Sequence, residues 1–367
     1  MKKIVIDARE WPTSTGRYVR ELVEQLQEVD TDLSHRYYIL MKPKDLDSWE
    51  PKSKRFTKVA SRYKEFTFAE QIGLFWQLLV IQPDLVHFAM VQQPILYFGK
   101  VVTTMHDLTT LRFNNPSKNP LVFWFKQRVY VWVNFIAAHK SKAVIVPTEF
   151  VKDDVARNMR TNSRKITVIY ESGDTYPMKP EAVAELEDKQ FIMYIGRPSP
   201  HKNLSRLIEA YGTLKQSMPE LHLALVGKRD ALYKRHEQEV ERLGIPDVHF
   251  TGFLSDARVR WLYEHAAVYV FPSLSEGFGL PGLEAMANGA PVASSNATCL
   301  PEVYGDAALY FDPRNVDDMA GTIKRILTDE KLRARLISAG RKQVAKYSWR
   351  RMAEQTLEVY KRVLGER

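Results

Sequence analysis

Two glutamates eight positions apart, Glu276 and Glu284, bracket a glycine-bearing stretch, Glu276-Gly-Phe-Gly-Leu-Pro-Gly-Leu-Glu284. An ionised carboxylate only accepts hydrogen bonds, so both suit ligands that donate, such as sugar hydroxyls. Gly277 and Gly279 let the backbone come close to a ligand, and Pro281 fits the first turn of a helix, where its missing N–H costs no hydrogen bond. A helix opening at Leu280 would offer free N–H groups and the positive end of its dipole to an anion such as a diphosphate. The plainer reading is an ordinary strand-to-helix connection whose glutamate complements the helix dipole.

Two more groups have chemical potential. Arg197 and Lys202 lie in Gly196-Arg-Pro-Ser-Pro-His-Lys202-Asn. A planar guanidinium and a point-charge ammonium can hold a phosphate from two sides, though a basic pair in a loop can equally be plain surface charge. His106 ends Val101-Val-Thr-Thr-Met-His106-Asp107, an ionisable group at the carboxyl end of an apolar run, where doubly wound sheets meet their ligands. The alternative is a histidine merely hydrogen-bonded within its loop. Asp45-Leu-Asp47 has the Asp-x-Asp form of some metal sites, but it lies in a polar loop with no apolar strand before it, and no metal site is expected.

The elements that must position these residues alternate along the chain. Apolar runs at Lys3–Ala8, Tyr37–Leu40, Asp84–Phe88, Val101–Leu108, Ala143–Pro147 and Ile166–Tyr170 read as strands. Phe191–Gly196, His222–Gly227, Val248–Phe253 and Ala267–Phe271 read the same way. Helical spacing appears from Gly16 to Leu26, over Phe66–Ile81, from Thr148, and over Leu204–Leu214, Leu232–Leu243 and Asp256–His265. Lys42–Arg62 reads as a basic connection. The pattern predicts an α/β chain of two doubly wound, parallel-sheet, Rossmann-like domains facing a cleft, over residues 1–175 and 185–346. Glu171–Ala184, rich in Pro, Gly and acid, reads as the linker, and residues 347–367 as a last helix.

Composition narrows the class. The chain has 367 residues, 45% hydrophobic and 26% charged, in keeping with two ordinary cores. Its one cysteine, Cys299, excludes an intramolecular disulfide framework, and the short apolar run before Asp7 and Arg9 does not read as a signal peptide. A cytoplasmic setting is expected. Residues 1–175 carry 26 Lys/Arg against 19 Asp/Glu, and residues 176–367 carry 27 against 25, so the +9 net charge is mostly amino-terminal. Such a bias fits an anionic membrane or scattered solubilising charge, while no nucleic-acid module accompanies it. The aromatic stretch Asn119–His139 contains Phe123, Trp124, Phe125, Tyr130, Trp132 and Phe135 beside Lys126 and Arg128. Its charges argue against a membrane span, and it reads as a core helix in preference to a helix lying on a membrane surface.

Glu276-Gly-Phe-Gly-Leu-Pro-Gly-Leu-Glu284-Ala-Met-Ala resembles the paired-glutamate signature of the retaining glycosyltransferases of family 4, which have the two-domain GT-B fold. Gly289-Ala-Pro-Val-Ala and Leu300–Pro313 resemble the same family's downstream segments. The Gly196-Arg…Lys-Asn stretch, Thr-Met-His106-Asp-Leu, and the first loop before Gly16-Arg-Tyr are similar too, though Ser14-Thr15 and Glu171-Ser-Gly173 depart from the family pattern. The resemblance runs nearly end to end and is closest to the subgroup with bacterial O-antigen mannosyltransferases. It implies metal-independent, retaining transfer of a hexose, most often mannose, from a GDP- or UDP-linked donor to a glycan or lipid-linked acceptor, with no cofactor. It further implies that residues 1–175 bind the acceptor and 185–346 the donor, and that the last helix crosses back to the first domain. By the same resemblance Arg197 and Lys202 hold the diphosphate, Glu284 the ribose, and Glu276 the transferred sugar. Gly277, Phe278, Gly279 and Leu280 lend backbone contacts, Gly16 and Gly196 lie along the donor, Phe253 and Leu254 lie near the base, and His106 touches the sugar. A nucleotide-sugar epimerase of the same fold and a non-catalytic subunit binding sugar nucleotide or membrane are the competing readings. The setting is the cytoplasm, with peripheral contact at the inner face of the membrane.

Overall fold

The computed structural model describes residues 1–13, 16–113, 120–173 and 175–366. The chain divides into two compact units: unit 1 is Met1–Leu111, Pro116–Glu171 and Ser348–Arg367, and unit 2 is Arg112–Asn115 and Ser172–Tyr347.

Unit 1 opens with β1 (Lys2–Asp7), α1 (Gly16–Val29), β2 (His35–Met41) and β3 (Phe56–Ala60). A π-helical turn, Glu70–Leu74, then leads into α2 (Phe75–Ile81), β4 (Leu85–Phe88), β5 (Val101–Thr104) and the single turn α3 (Thr109–Arg112), which crosses the division between the units. The rest is α4 (Pro120–Lys140), β6 (Ala143–Val146), α5 (Glu149–Asn158) and β7 (Ile166–Val168). The seven strands form one sheet in the order β3-β2-β1-β4-β5-β6-β7, all parallel. Val5, Val86, Phe88 and Val101 leave its face to meet Leu74 and Leu78. Val144 and Val146 pack with Val151, Val155 and Ala137 further along.

Two expectations need correction here. Lys42–Arg62 is not only a connection, for it contains β3, an edge strand whose Thr57 and Lys58 interrupt the apolar residues and hide the usual pattern. The helix expected from Phe66 starts later. Phe66 is left-handed, with φ of 61°, and the Glu70 N–H is capped by the Thr67 hydroxyl at 3.2 Å. Glu70 is itself fixed, because the buried Arg9 guanidinium reaches both its carboxylate (2.7 Å) and that of Asp7 (2.6 Å).

Unit 2 repeats the plan with β8 (Phe191–Ile195), α6 (Leu204–Ser217), β9 (His222–Val226), α7 (Ala231–Leu243), β10 (Val248–Gly252), α8 (Asp256–His265) and β11 (Val268–Phe271). It continues through α9 (Leu280–Ala287), β12 (Val292–Ser295), α10 (Leu300–Tyr304), β13 (Ala308–Phe311), α11 (Val316–Thr328) and α12 (Glu330–Val344). Its six parallel strands run β10-β9-β8-β11-β12-β13. Ile192, Leu225, Val268 and Val270 bury one face against Leu207, Tyr211 and Ile323. β12 and β13 are elements that the sequence reading did not mark as strands.

Each sheet reverses its winding once, between β1 and β4 in unit 1 and between β8 and β11 in unit 2. At such a reversal the loops leaving two adjacent strands go to opposite faces and open a crevice at the carboxyl ends. The candidate loops of unit 2, Gly196–Asn203 and Pro272–Gly279, follow β8 and β11.

The last helix, α13 (Trp349–Leu364), belongs to unit 1 and buries Met352, Leu357 and Tyr360. The Tyr360 hydroxyl donates to His87 Nδ1 at 2.5 Å, and His87 Nε2 meets Thr104 Oγ1 at 2.8 Å, tying α13 to β4 and β5. Burial, and then the neighbouring charge of His106, push His87 down to about 3, so it stays neutral and can accept. Tyr360→Phe should therefore cost about 1–3 kcal/mol, the penalty for an acceptor left buried without its donor. Faster hydrogen exchange in β4 and α13 would register it, and unchanged exchange there would mean that the bond holds nothing.

Candidate functional site

In unit 2 the two switch-point loops are tied to each other. The Leu274 N–H donates to the His201 carbonyl at 2.7 Å, and the buried Asn203 side chain donates to the carbonyls of Pro272 (3.0 Å) and Pro313 (2.7 Å). Asn203 is left-handed at φ 61°, a conformation its short polar side chain tolerates, and α6 starts at the next residue. Sequence reading gave Asn203 no role of its own. The Lys-Asn pair was the available signal.

This brace brings Lys202 and Glu276 together. Lys202 Nζ donates to Glu276 Oε1 at 2.6 Å, both side chains are mostly buried, and the ammonium lies 5.4 Å from the centre of the Phe271 ring. The Glu276 backbone is fixed by Thr298, whose hydroxyl accepts its N–H at 3.1 Å. An ammonium has three donors, so Lys202 can keep Glu276 and still offer N–H bonds to an anion. Because the pair is largely desolvated, removing one member would leave the other as an uncompensated charge.

Three residues on, Gly279 is left-handed at φ 96° and stands at the amino end of α9. A side chain here would be strained and would strike Leu300 Cδ2 at 2.7 Å, so glycine is required. The Tyr304 hydroxyl donates to the Gly279 carbonyl at 2.5 Å and holds the turn. Phe278 is buried edge-on against Tyr347, 5.6 Å between ring centres, so it faces the protein and only its backbone is offered to a ligand. Gly277 precedes it, and α9 begins at Leu280 with Pro281 in its first turn.

Glu284 is buried one turn into α9, its Oε2 accepting from Tyr176 (3.2 Å) and Tyr263 (3.4 Å) hydroxyls. Its carboxylate is thus surrounded by donors, unlike Glu276, which faces a cation. Arg197 follows the positive-φ Gly196 and is largely exposed, its Nε donating to Asp230 Oδ2 at 3.2 Å. Asp230 also caps α7 through the N–H groups of Leu232 and Tyr233. Phe253, just past β10, is 85% exposed, and Leu254 is half-buried beside it.

In unit 1, His106 follows β5 with both ring nitrogens engaged, Nδ1 on Glu171 Oε1 at 3.0 Å and Nε2 on the Ala89 carbonyl at 3.0 Å. A carbonyl and a carboxylate both accept, an arrangement that favours the doubly protonated ring. Burial works against the charged form, but the Glu171 hydrogen bond and charge outweigh it and the net pKa is raised. The Tyr18 ring lies edge-on to the imidazole at 4.8 Å, and its hydroxyl reaches Thr104 Oγ1 at 3.0 Å. Glu171 was noted only as a departure from the family's linker pattern, and no local signal could join it to a histidine 65 residues away. Gly16 opens α1 with its N–H already given to the Thr13 hydroxyl at 3.0 Å. The neighbouring Ser14-Thr15 lie outside the described residues.

Asp45 and Asp47 lie on a short 3-10 turn, Pro43–Ser48. Among the described residues no group of three or more His, Cys, Asp or Glu side chains could hold a metal ion.

Two parallel-sheet units, with a glycine turn, two carboxylates and two cations at the switch point of one of them, are the frame of the candidate site. The chain belongs to glycosyltransferase family 4. Residues 15–175 match the family pattern described as Glycosyltransferase Family 4, and residues 177–343 match Glycosyl transferases group 1. It is 32% identical over 277 residues to O-antigen chain mannosyltransferase B of Escherichia coli, covering 71% of this chain and 70% of that one. Against the serotype-specific mannosyltransferase WbdA of the same species it is 32% identical over 243 residues, but spans only 28% of that longer protein. The sucrose-phosphate synthase of Thermosynechococcus elongatus shares the fold over 100% of both chains, with a TM-score of 0.76 at 20% identity. The fold is thus GT-B, and the protein is a glycosyltransferase.

The raised pKa of His106 yields a pH prediction. A group whose folded pKa lies above its unfolded value of about 6.5 contributes stability that is complete below that value and fades as pH rises through the folded pKa. NMR titration should find His106 above about 6.5, and Glu171→Gln should bring it down. A midpoint at or below about 6.5, unmoved by the substitution, would contradict the pairing.

Proposed function

We propose that this glycosyltransferase moves a hexose, mannose in the first instance, from a GDP- or UDP-linked donor to a hydroxyl of a glycan or lipid-linked acceptor. The reaction retains configuration at C1, uses no metal or other cofactor, and serves bacterial polysaccharide assembly in the cytoplasm, at the inner face of the membrane. The supporting observation is the Lys202–Glu276 ion pair, 2.6 Å long, immediately before the glycine turn and amino end of α9. Similarity to O-antigen chain mannosyltransferase B supports the choice of sugar.

The chemistry follows from charge. The bond from sugar C1 to the β-phosphate oxygen breaks with its electron pair going to the diphosphate, while the acceptor oxygen bonds to C1 and its proton passes to the leaving phosphate. Negative charge grows on the diphosphate as positive charge grows on the sugar ring. Lys202, Arg197 and the N–H groups at Gly279 and Leu280 serve the first, and they are preorganised, so they favour the transition state over the ground state. Glu276 serves the sugar. The buried Glu284, with its two tyrosine partners, accepts from ribose hydroxyls, and the exposed Phe253 with Leu254 covers the base. Gly196 and Gly277 keep the backbone near the donor, and the Phe278 backbone holds the sugar. Residues 1–175 take the acceptor, and His106 and Gly16 are the groups of that unit assigned to the donor.

Two experiments test this. Incubation with GDP-mannose and a mannose-terminated acceptor should give a product one hexose heavier by mass spectrometry. An epimerised donor with no acceptor product would instead favour a nucleotide-sugar epimerase. Glu276→Gln should then lower turnover by roughly 100-fold or more, on the scale of other lost preorganised electrostatic groups, while sparing affinity for the free nucleotide diphosphate. Glu284→Gln should weaken that affinity instead. Equal calorimetric losses for the two variants would mean that the carboxylate roles are wrongly assigned.

A further inference from the structure

Unit 1 turns large apolar side chains outward in three separate stretches. Before and along α2, Phe68, Ile72, Trp76 and Val80 recur every four residues on one face, and Phe68 and Val80 are 89% and 82% exposed. In the connection between β4 and β5, Leu96 and Phe98 do the same. On α4, Trp124, Trp132 and Phe135 form an outward stripe, while Asn134, Ala137 and Ala138 form the buried side. Of the two readings, the core one holds for part of the helix: Asn134, Ala137 and Ala138 are buried and Tyr130 packs partly buried beside them, while Trp124 and Trp132 face out.

The three stretches are neighbours. The Phe66 ring lies 6.4 Å from that of Tyr130 on α4. Gln71 donates to the Gln93 carbonyl at 3.1 Å and accepts the Ile95 N–H at 3.0 Å, and Lys140 at the end of α4 donates to the Pro94 carbonyl at 2.5 Å. Exposed large apolar side chains gathered on neighbouring segments mark an interaction site. Its charge is one-sided. Across residues 62–81, 93–100 and 120–140, Arg62, Lys64, Lys100, Lys126 and Arg128 are exposed. The two acids there, Glu65 and Glu70, are turned inward onto Lys42 (3.0 Å) and Arg9 (2.7 Å).

We propose that this face docks unit 1 on an anionic lipid bilayer, with α2 and α4 lying in the headgroup plane, Trp76 and Trp132 inserted, and the cations on the phosphates. It identifies the surface behind the membrane placement given above, but rests on unit 1 alone and not on the transfer chemistry. Tryptophan and basic residues on one amphipathic face suit a membrane interface, and among the described residues no helix is long and apolar enough to cross. A second copy fits poorly, because a two-fold contact sets like against like and would bring the five cations against the same five without an exposed acid to meet them.

The test is co-sedimentation of the full chain with vesicles of phosphatidylcholine alone or with 30% phosphatidylglycerol. Binding should need the anionic lipid and fall in 1 M salt, where the Debye length shortens from about 10 Å to about 3 Å. Each cation near the surface is worth about five-fold, so Lys126→Gln with Arg128→Gln should weaken partitioning about 30-fold. Trp76→Ser with Trp132→Ser should abolish it, and both double variants should transfer sugar to a soluble acceptor as the parent does. Absence of binding to anionic vesicles at low salt, or equal binding by parent and both variants, would overturn the proposal. So would a lipid-free dimer that the tryptophan changes convert to monomer, since a second copy would then own the face. Vesicle binding without any sugar transfer would leave this proposal standing and remove the catalytic one.

Discussion

The ion pair between Lys202 and Glu276 is the constraint on which unit 2 is built. A mostly buried ammonium and carboxylate are costly unless each has the other, so the two loops that carry them must be held in register. The sheet does most of this by putting β8 and β11 side by side at its reversal, so that adjacent strands deliver their loops to one place. Asn203 and the Leu274–His201 backbone bond complete it. The left-handed Gly279 then turns the chain into α9, so the charge pair, the glycine turn and the helix N-terminus follow one another within a few residues.

Unit 1 solves a different problem with similar means. Glu171 and the Ala89 carbonyl favour the charged form of His106, whereas His87, one strand away and wholly buried, is held neutral by burial and then by the neighbouring charge of His106. Two histidines of one sheet are thus pushed in opposite directions, one by its acceptors and the other by burial and its neighbour's charge. Tyr18 and Thr104 separate them, and α13 closes the network from the chain's other end.

Much of this was legible in the sequence because its signals are local. A run such as Ala267–Phe271 followed by two glycines and a proline reads as strand, turn and helix start at a distance of a few residues. Pairing across the sheet is not local. Nothing near Glu171 points to His106, and nothing near Asn203 points to Pro272 or Pro313. β3 escaped because an edge strand with Lys58 in its middle lacks a continuous apolar run, and β12, Val292-Ala-Ser-Ser295, because half of it is serine. The aromatic helix stayed ambiguous for a physical reason. Its buried side is Asn134, Ala137 and Ala138 while its tryptophans face out, so hydrophobicity alone gives the wrong inside.

The central claim is that Lys202 and Glu276 act as one unit on the donor, and a double-substitution cycle addresses it directly. Turnover would be measured at saturating donor for Lys202→Met, Glu276→Gln and the two combined. A coupled pair predicts strong non-additivity, with the double variant about as slow as the worse single one, as happens when groups act together on one transition state. Multiplicative losses in the double variant, or single variants within a few-fold of the parent, would contradict the account and leave the ion pair as a fold brace only.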